Sequence, residues 1–206
     1  MSNGTSGDVN NINFSGAAPG RREAGEQVRV VADGVAKAAF EAYKTIEHRS
    51  DVTLAAAEAE IELGVRKPGA ADLERARKIL AEAGDRPLKG LAEVYARETV
   101  LLAEYPDTVE LKLQALRVGE LGIAAIPCEV FTEIGLEIKK RSPLKPTFTI
   151  ELANGYNGYL PTPEQHALGG YETWRARSSY LEVNASRKIT ETVLVLLNRV
   201  AKELPR

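Results

Sequence analysis

The sequence predicts an α/β fold: a mixed β-sheet with helices on both faces, in α/β/α layers. Three observations carry this. Apolar residues recur every three or four positions over 22–47, 70–83 and 186–204, the period of a helix with one buried face. They alternate with polar residues over 57–65, 109–115 and 147–152, the period of a strand. Leu121-Gly122-Ile123-Ala124-Ala125-Ile126 is apolar throughout, as suits a central strand covered on both sides.

Taken in order, residues 1–20 are rich in Gly, Asn and Ser and read as a loop, although Val9, Ile12 and Phe14 are unlike a plain disordered tail. Over 22–47, Val28, Val31, Val35, Ala39, Ala42 and Ile46 form one stripe of a helix, with His48 suited to its C-terminal end. Over 52–65, Ala57, Ala59, Ile61, Leu63 and Val65 share a parity, with Glu58, Glu60 and Glu62 between them. This is a long strand with one wet face. An Ala-rich helix is also permitted, but Pro68-Gly69 closes the segment at a strand's length. Val52 and Leu54 fall on the other parity, which predicts a bulge or break near Ala56.

Residues 70–83 follow as a helix with Leu73, Ala76, Leu80 and Ala83 on one face and Gly84 as its stop. Pro87 opens another helix to about Glu104, ended by Pro106. Val109, Leu111, Leu113 and Ala115 mark a strand, and a turn near Gly119-Glu120 leads to the apolar strand 121–126. Pro127 then suits the first turn of a helix over 128–141, with Phe131, Ile134 and Ile138 inward and Pro143 and Pro146 beyond it. Phe148, Ile150 and Leu152 alternate with Thr147, Thr149 and Glu151 in another strand. Residues 153–183 are a Tyr-bearing loop region, and a last helix over 186–204 turns Ile189, Val193, Leu196, Leu197 and Val200 inward. No repeat and no linker divides the chain, so 1–206 reads as a single domain.

Composition excludes several functions. Lys plus Arg is 27 against 29 for Asp plus Glu, a net charge of −2, so no nucleic-acid partner is expected. One cysteine, Cys128, rules out an intrachain disulfide and a Cys-rich zinc site. Two histidines, His48 and His166, rule out a three-histidine metal site. No apolar run is long enough to span a membrane, and residues 1–20 lack the apolar segment of a secretory signal.

Several places could carry chemistry. Glu129 follows the central strand directly, where ligands gather in open α/β sheets. An acidic residue in a first helical turn also simply complements the helix dipole. Tyr156, Tyr159 and Tyr171 put three of seven tyrosines in one loop region, with Gly155 and Gly158 at tight backbone positions. Asn3 to Asn11 is a run of small polar groups, without the Lys of a phosphate loop. Cys128, beside an apolar strand with no local His, reads as core rather than nucleophile. His166 reads as a surface-loop residue, and Lys139-Lys140-Arg141 as a solvated helix end.

Three motifs together resemble the neutral/alkaline, non-lysosomal ceramidase family. Gly7-Asp8-Val9-Asn10-Asn11 looks like its Gly-Asp-Val-Ser-Pro-Asn segment. Pro127-Cys128-Glu129-Val130-Phe131-Thr132 is similar to its Pro-x-Glu-x-Phe-Thr segment. Asn154 to Thr162 with Tyr171-Glu172 is similar to its Asn-x-Tyr-x-x-Tyr-x-x-Thr…Tyr-Glu block. The resemblance runs over nearly the whole chain and corresponds to the second half of that family's catalytic domain, with 1–20 as an active-site loop.

The resemblance implies a zinc-dependent hydrolase that cleaves a linear N-acyl amide, ceramide-like, through metal-activated water. It implies Glu129 and Tyr159 as zinc ligands, Tyr171 beside the scissile amide, and Gly7, Asp8 and Tyr156 against substrate. Asn10 stands where the family has a Ser proposed as nucleophilic or substrate-contacting, and Asn11 where it has Pro. The family's two histidine ligands have no counterpart here. Zn2+ is therefore expected in a longer parent and weak or absent in this chain, whose partners are a lipid amide and a missing N-terminal half or a second copy. The alternatives are a non-catalytic α/β interaction module and a hydrolase of another amide or ester.

Overall fold

The computed structural model describes residues 2–10, 15–16, 20 and 23–202. Expectations resting on Met1, Asn11, Ile12, Phe14 and residues 203–204 lie outside the described residues. The chain divides into two compact units, Met1–Val9 with Thr53–Arg206, and Asn10–Val52.

The Asn10–Val52 unit holds one helix, α1 (Glu26–Tyr43). It is shorter than the periodicity implied. The Thr45 hydroxyl donates to the Ala42 carbonyl at 2.9 Å and turns the chain out of the helix, so His48 lies beyond the end rather than at it. The stripe exists, but no residue of α1 is buried, and Val28 is 73% exposed.

The other unit runs, in chain order, β1 (Leu54–Gly64), α2 (Ala70–Ala83), α3 (Gly90–Ala103), β2 (Thr108–Val118), β3 (Leu121–Ile126) and β4 (Glu129–Val130). It continues α4 (Thr132–Arg141), β5 (Thr147–Glu151), β6 (Tyr159–Leu160), α5 (Pro163–Leu168), a 3-10 turn Tyr171–Thr173 and α6 (Ala185–Lys202). The main sheet has the order β1-β2-β3-β5. β1/β2 and β2/β3 are antiparallel, and β3/β5 is parallel. Parallel neighbours need a crossover, and α4 supplies it. The fold is α/β with a mixed sheet, as the sequence predicts.

The core lies between α6 and one sheet face. Ile189, Val193, Leu196, Leu197 and Val200 meet Leu111, Leu113, Ala115, Ala124 and Ile126, all buried. α2 and α3 pack against each other, with Ala76, Ala83, Ala96 and Leu102 buried.

Four local readings are corrected. β1 pairs with β2 without interruption from Leu54↔Val118 to Gly64↔Thr108, so no bulge occurs near Ala56. Leu54 and Val118 face each other on the outer sheet face, and that cross-strand pair accommodates the odd parity. α3 starts at Gly90, not Pro87, because Glu93 reaches back to accept from the Lys89 amide at 2.5 Å and from Arg86. The helix expected from residue 128 begins at Thr132, because Glu129 and Val130 are drawn into pairing with Tyr159 and Leu160. In β5, Thr147, Thr149 and Glu151 are buried while Phe148 and Ile150 are only partly so. Thr147 and Glu151 turn inward onto waiting partners, whereas the buried Thr149 hydroxyl has none among the described residues. The Thr147 hydroxyl donates to the Leu144 carbonyl at 2.7 Å, and Glu151 accepts from the Val130 amide at 2.9 Å.

Candidate functional site

Glu129 is delivered by β3. The strand ends buried at Ile126, and Pro127 and Cys128 are also buried. Asn157 grips this turn: its backbone amide and its Nδ2 donate to the Pro127 carbonyl at 2.9 and 3.0 Å. Tyr180 in turn donates its hydroxyl to Asn157 Oδ1 at 2.6 Å. β4 and β6 then run parallel with Glu129 opposite Tyr159, and the Glu129 amide donates to the Gly158 carbonyl at 2.9 Å. Gly158 is obligatory. Its φ is 72°, and a Cβ there would stand 2.4 Å from the Ser178 carbonyl oxygen.

Around the Glu129 carboxylate stand phenols. Tyr156 and Tyr159 both lie close enough to feel its charge, and Tyr159 lies beside Tyr171. The Tyr159 and Tyr171 rings meet edge to face, centroids 5.7 Å apart. Burial, and then the negative charge and hydrogen bond of Glu129, hold the Tyr156 phenol above its ordinary value. The Tyr159 phenol is raised further, by burial first, then its bond to Tyr171 and the nearby Glu129. Both stay protonated, as hydrogen-bond donors. Tyr156 is 56% and Tyr171 53% exposed, so the cluster opens to solvent.

Arg66, which sequence reasoning missed, ties the end of the 3-10 turn that carries Tyr171 to residues 179 and 181. Arg66 donates from Nη1 to the Thr173 carbonyl at 2.9 Å, from Nε to Leu181 at 2.9 Å and from Nη2 to Ser179 at 2.6 Å. Burial, then the charge of Arg175, lowers its pKa to about 10, so it is still cationic at neutral pH. Nothing in the Arg66-Lys67-Pro68 stretch signals this role.

Residues 3–9 lie beneath Glu129. The Gly7 amide donates to the Val130 carbonyl at 2.9 Å, and a Cβ on Gly7 would sit 2.5 Å from the Glu129 carbonyl oxygen. Asp8 Oδ1 accepts from the Thr132 amide and hydroxyl, both at 2.8 Å. It thereby caps α4, whose own N-cap residue, Phe131, has no side chain able to do so. Glu151, also missed, is 4% exposed. Its Oε2 accepts from the Val130 amide at 2.9 Å and the Ser6 amide at 3.1 Å, and its Oε1 from the Ser6 hydroxyl. Its only signal was a carboxylate closing an otherwise neutral strand.

The structure therefore brings Glu129, Tyr156, Tyr159 and Tyr171 together, with Gly7 and Asp8 against the backbone that carries Glu129. Asn10 is exposed and belongs to the Asn10–Val52 unit. His166 sits in the last turn of α5, half-buried, rather than in a loop. Burial, then the charge of Arg66, pulls its pKa down. Cys128 is fully buried in the core, and burial pushes its thiol up.

Zinc does not fit this donor set by itself. A catalytic zinc takes about three protein ligands plus water. Among the described residues no group of three or more His, Cys, Asp or Glu converges. Glu129 and a protonated Tyr159 make two oxygen donors at most.

Beside the cluster opens a cleft of about 610 Å³ between α3 and residues 176–180, and Tyr156 belongs to its wall. Tyr95, Tyr105 and Tyr180 line it with Leu91 and Val94, next to the ion pair of Glu98 and Arg177. That pair is bidentate, with Arg177 Nε and Nη2 donating at 2.8 and 2.9 Å.

No protein-family model matches the chain, and no curated protein does. Solved structures do. The neutral ceramidase from Pseudomonas aeruginosa matches over 94% of this chain and 36% of its own, at 17% identity and a TM-score of 0.55. A ceramidase complexed with C2 matches over 86% of this chain and 34% of its own, at 15% identity and a TM-score of 0.55. The likeness is one of fold, and the chain spans about a third of the length of these neighbours.

Proposed function

We propose that this chain supplies the carboxylate-and-phenol side of a centre that hydrolyses an N-acyl amide of the lipid, ceramide-like kind. The observation that supports the reading most is the Glu129 carboxylate beyond the carboxyl end of β3, paired across β4 and β6 with Tyr159, with Tyr156 within reach of its charge and the Tyr171 ring on Tyr159. A carboxylate so held can take the proton of a water that attacks the amide carbonyl carbon. The protonated phenols of Tyr159 and Tyr171 can donate to the carbonyl oxygen as it gains charge. The carbon–nitrogen bond then breaks, and the proton passes to the leaving amine. Zinc supplies Lewis-acid chemistry in ceramidases as the resemblance has it. At this cluster it needs donors beyond Glu129 and Tyr159.

The test is fatty-acid release from an N-acyl amide, and from the matched ester, by the purified chain with zinc added. Slow amide turnover is expected, lost about 100-fold or more in Glu129→Gln and reduced in Tyr159→Phe. Turnover unchanged in Glu129→Gln overturns the assignment. A second reading, a non-catalytic α/β module, is favoured by the short donor set. A well-folded chain with no turnover on either substrate would support it.

A further inference from the structure

We propose that the cleft beside α3 binds an aromatic ring carried by the amide ligand. The amide part rests on the hydrolysis proposed above and narrows its substrate from a lipid amide in general to one that carries a ring, whereas the ring part stands on the cleft alone. Six of the chain's seven tyrosines gather at this place. Tyr95, Tyr105, Tyr156 and Tyr180 form the wall, and Tyr159 and Tyr171 adjoin it through Glu129. The single tryptophan, Trp174, stands edge-on to Tyr95 with centroids 5.2 Å apart. Tyr105 and Tyr180 meet the same way at 5.4 Å. Edge-to-face is a geometry that aromatic rings prefer, and a further ring can join such an array.

The chemistry of the wall decides between a ring and a linear chain. An alkyl chain threaded here would strip water from phenol hydroxyls and from the Glu98–Arg177 pair while replacing none of their hydrogen bonds, which is costly. A ring with polar substituents stacks on the phenol faces and meets the hydroxyls at its edge. The volume, about 610 Å³, lies in the range of small-molecule sites, roughly 300–1,000 Å³. Tyr156 lines the cleft and lies close enough to Glu129 to feel its charge, so a ring in the cleft leaves its amide on the side of the carboxylate.

Trp174 provides the reporter. Its fluorescence is followed while the purified chain is titrated with phenylacetamide and, separately, with the linear hexanamide. Phenylacetamide should bind at least tenfold tighter. Tyr95→Leu and Tyr105→Leu should each weaken phenylacetamide fivefold or more and leave hexanamide within twofold, while Tyr105→Phe keeps the preference. Thermal unfolding confirms that the variants fold. Equal or tighter hexanamide binding, no binding of either amide, or leucine variants that behave as wild type would each overturn the proposal. Ring binding with no Glu129-dependent hydrolysis would instead sink only the proposed function.

Discussion

Replacing Glu151 separates a hydrogen-bond bracket from a buried charge. Its Oε2 accepts from two backbone amides, Val130 and Ser6, and its Oε1 from the Ser6 hydroxyl. No cation pairs with it among the described residues. Glutamine can reproduce every contact: its carbonyl oxygen takes the place of Oε2, and its amide nitrogen donates to the Ser6 hydroxyl. Alanine orphans the buried Val130 amide, at a cost of about 1–3 kcal/mol, whereas the amide of Ser6, an exposed residue, can turn to water. Glu151→Ala should therefore lose about 1–3 kcal/mol, a sizeable share of the roughly 5–15 kcal/mol of a typical domain. Glu151→Gln should stay within about 1 kcal/mol of wild type. Urea unfolding gives the stabilities, and amide hydrogen exchange at Ser6 and Val130 gives the local opening. If Glu151→Gln is as damaging as Glu151→Ala, the charge itself matters and the bracket reasoning fails.

Three further outcomes follow from the geometry. Gly158→Ala places a Cβ 2.4 Å from the Ser178 carbonyl at a φ of 72°; strain of about 1–2 kcal/mol plus a forced shift of about 1–3 kcal/mol should show in thermal unfolding, and a loss under about 1 kcal/mol would mean that residue 178 yields freely. Asp8→Ala should cost about 1 kcal/mol and speed exchange of the Thr132 amide, whereas Asp8→Asn retains most of the cap; unaltered exchange in Asp8→Ala would refute the capping role. The Arg177 hydrogen bond holds the Glu98 carboxyl below its ordinary 4.5. Its contribution is thus fully present above pH 4.5 and is lost as pH falls through the lower folded value. Glu98→Gln should flatten that acid limb of the stability curve, and superimposable wild-type and variant curves would contradict it.

What was legible in the sequence was what local periodicity encodes. α2, β3 and the inward face of α6 follow from residues that are near neighbours in the chain. β4 was not legible, because two residues carry no period and the pairing partner, Tyr159, lies thirty residues downstream. The same holds for Asp8 on Thr132, a cap supplied from 124 residues away. β5 misleads for a different reason. Its Thr147 and Glu151 side chains turn inward because partners outside the strand satisfy them, which alternation cannot reveal. Of the site, Glu129 and the three tyrosines were visible as motif positions. Arg66, Glu151 and the aromatic wall of α3 were not, since each acts through tertiary contacts alone.

The bracket around Ser6 also sets an order of events during synthesis. Ser6 is made before Glu151, which follows 145 residues later. At about 5–20 residues per second, roughly 7 to 30 s pass before the carboxylate exists. Through that interval Ser6 has no carboxylate to dock against, and its bracket beneath Glu129 cannot close. The site is therefore completed only when the ends of the sheet unit meet, and a nascent chain halted before β5 has no Glu151 to close it.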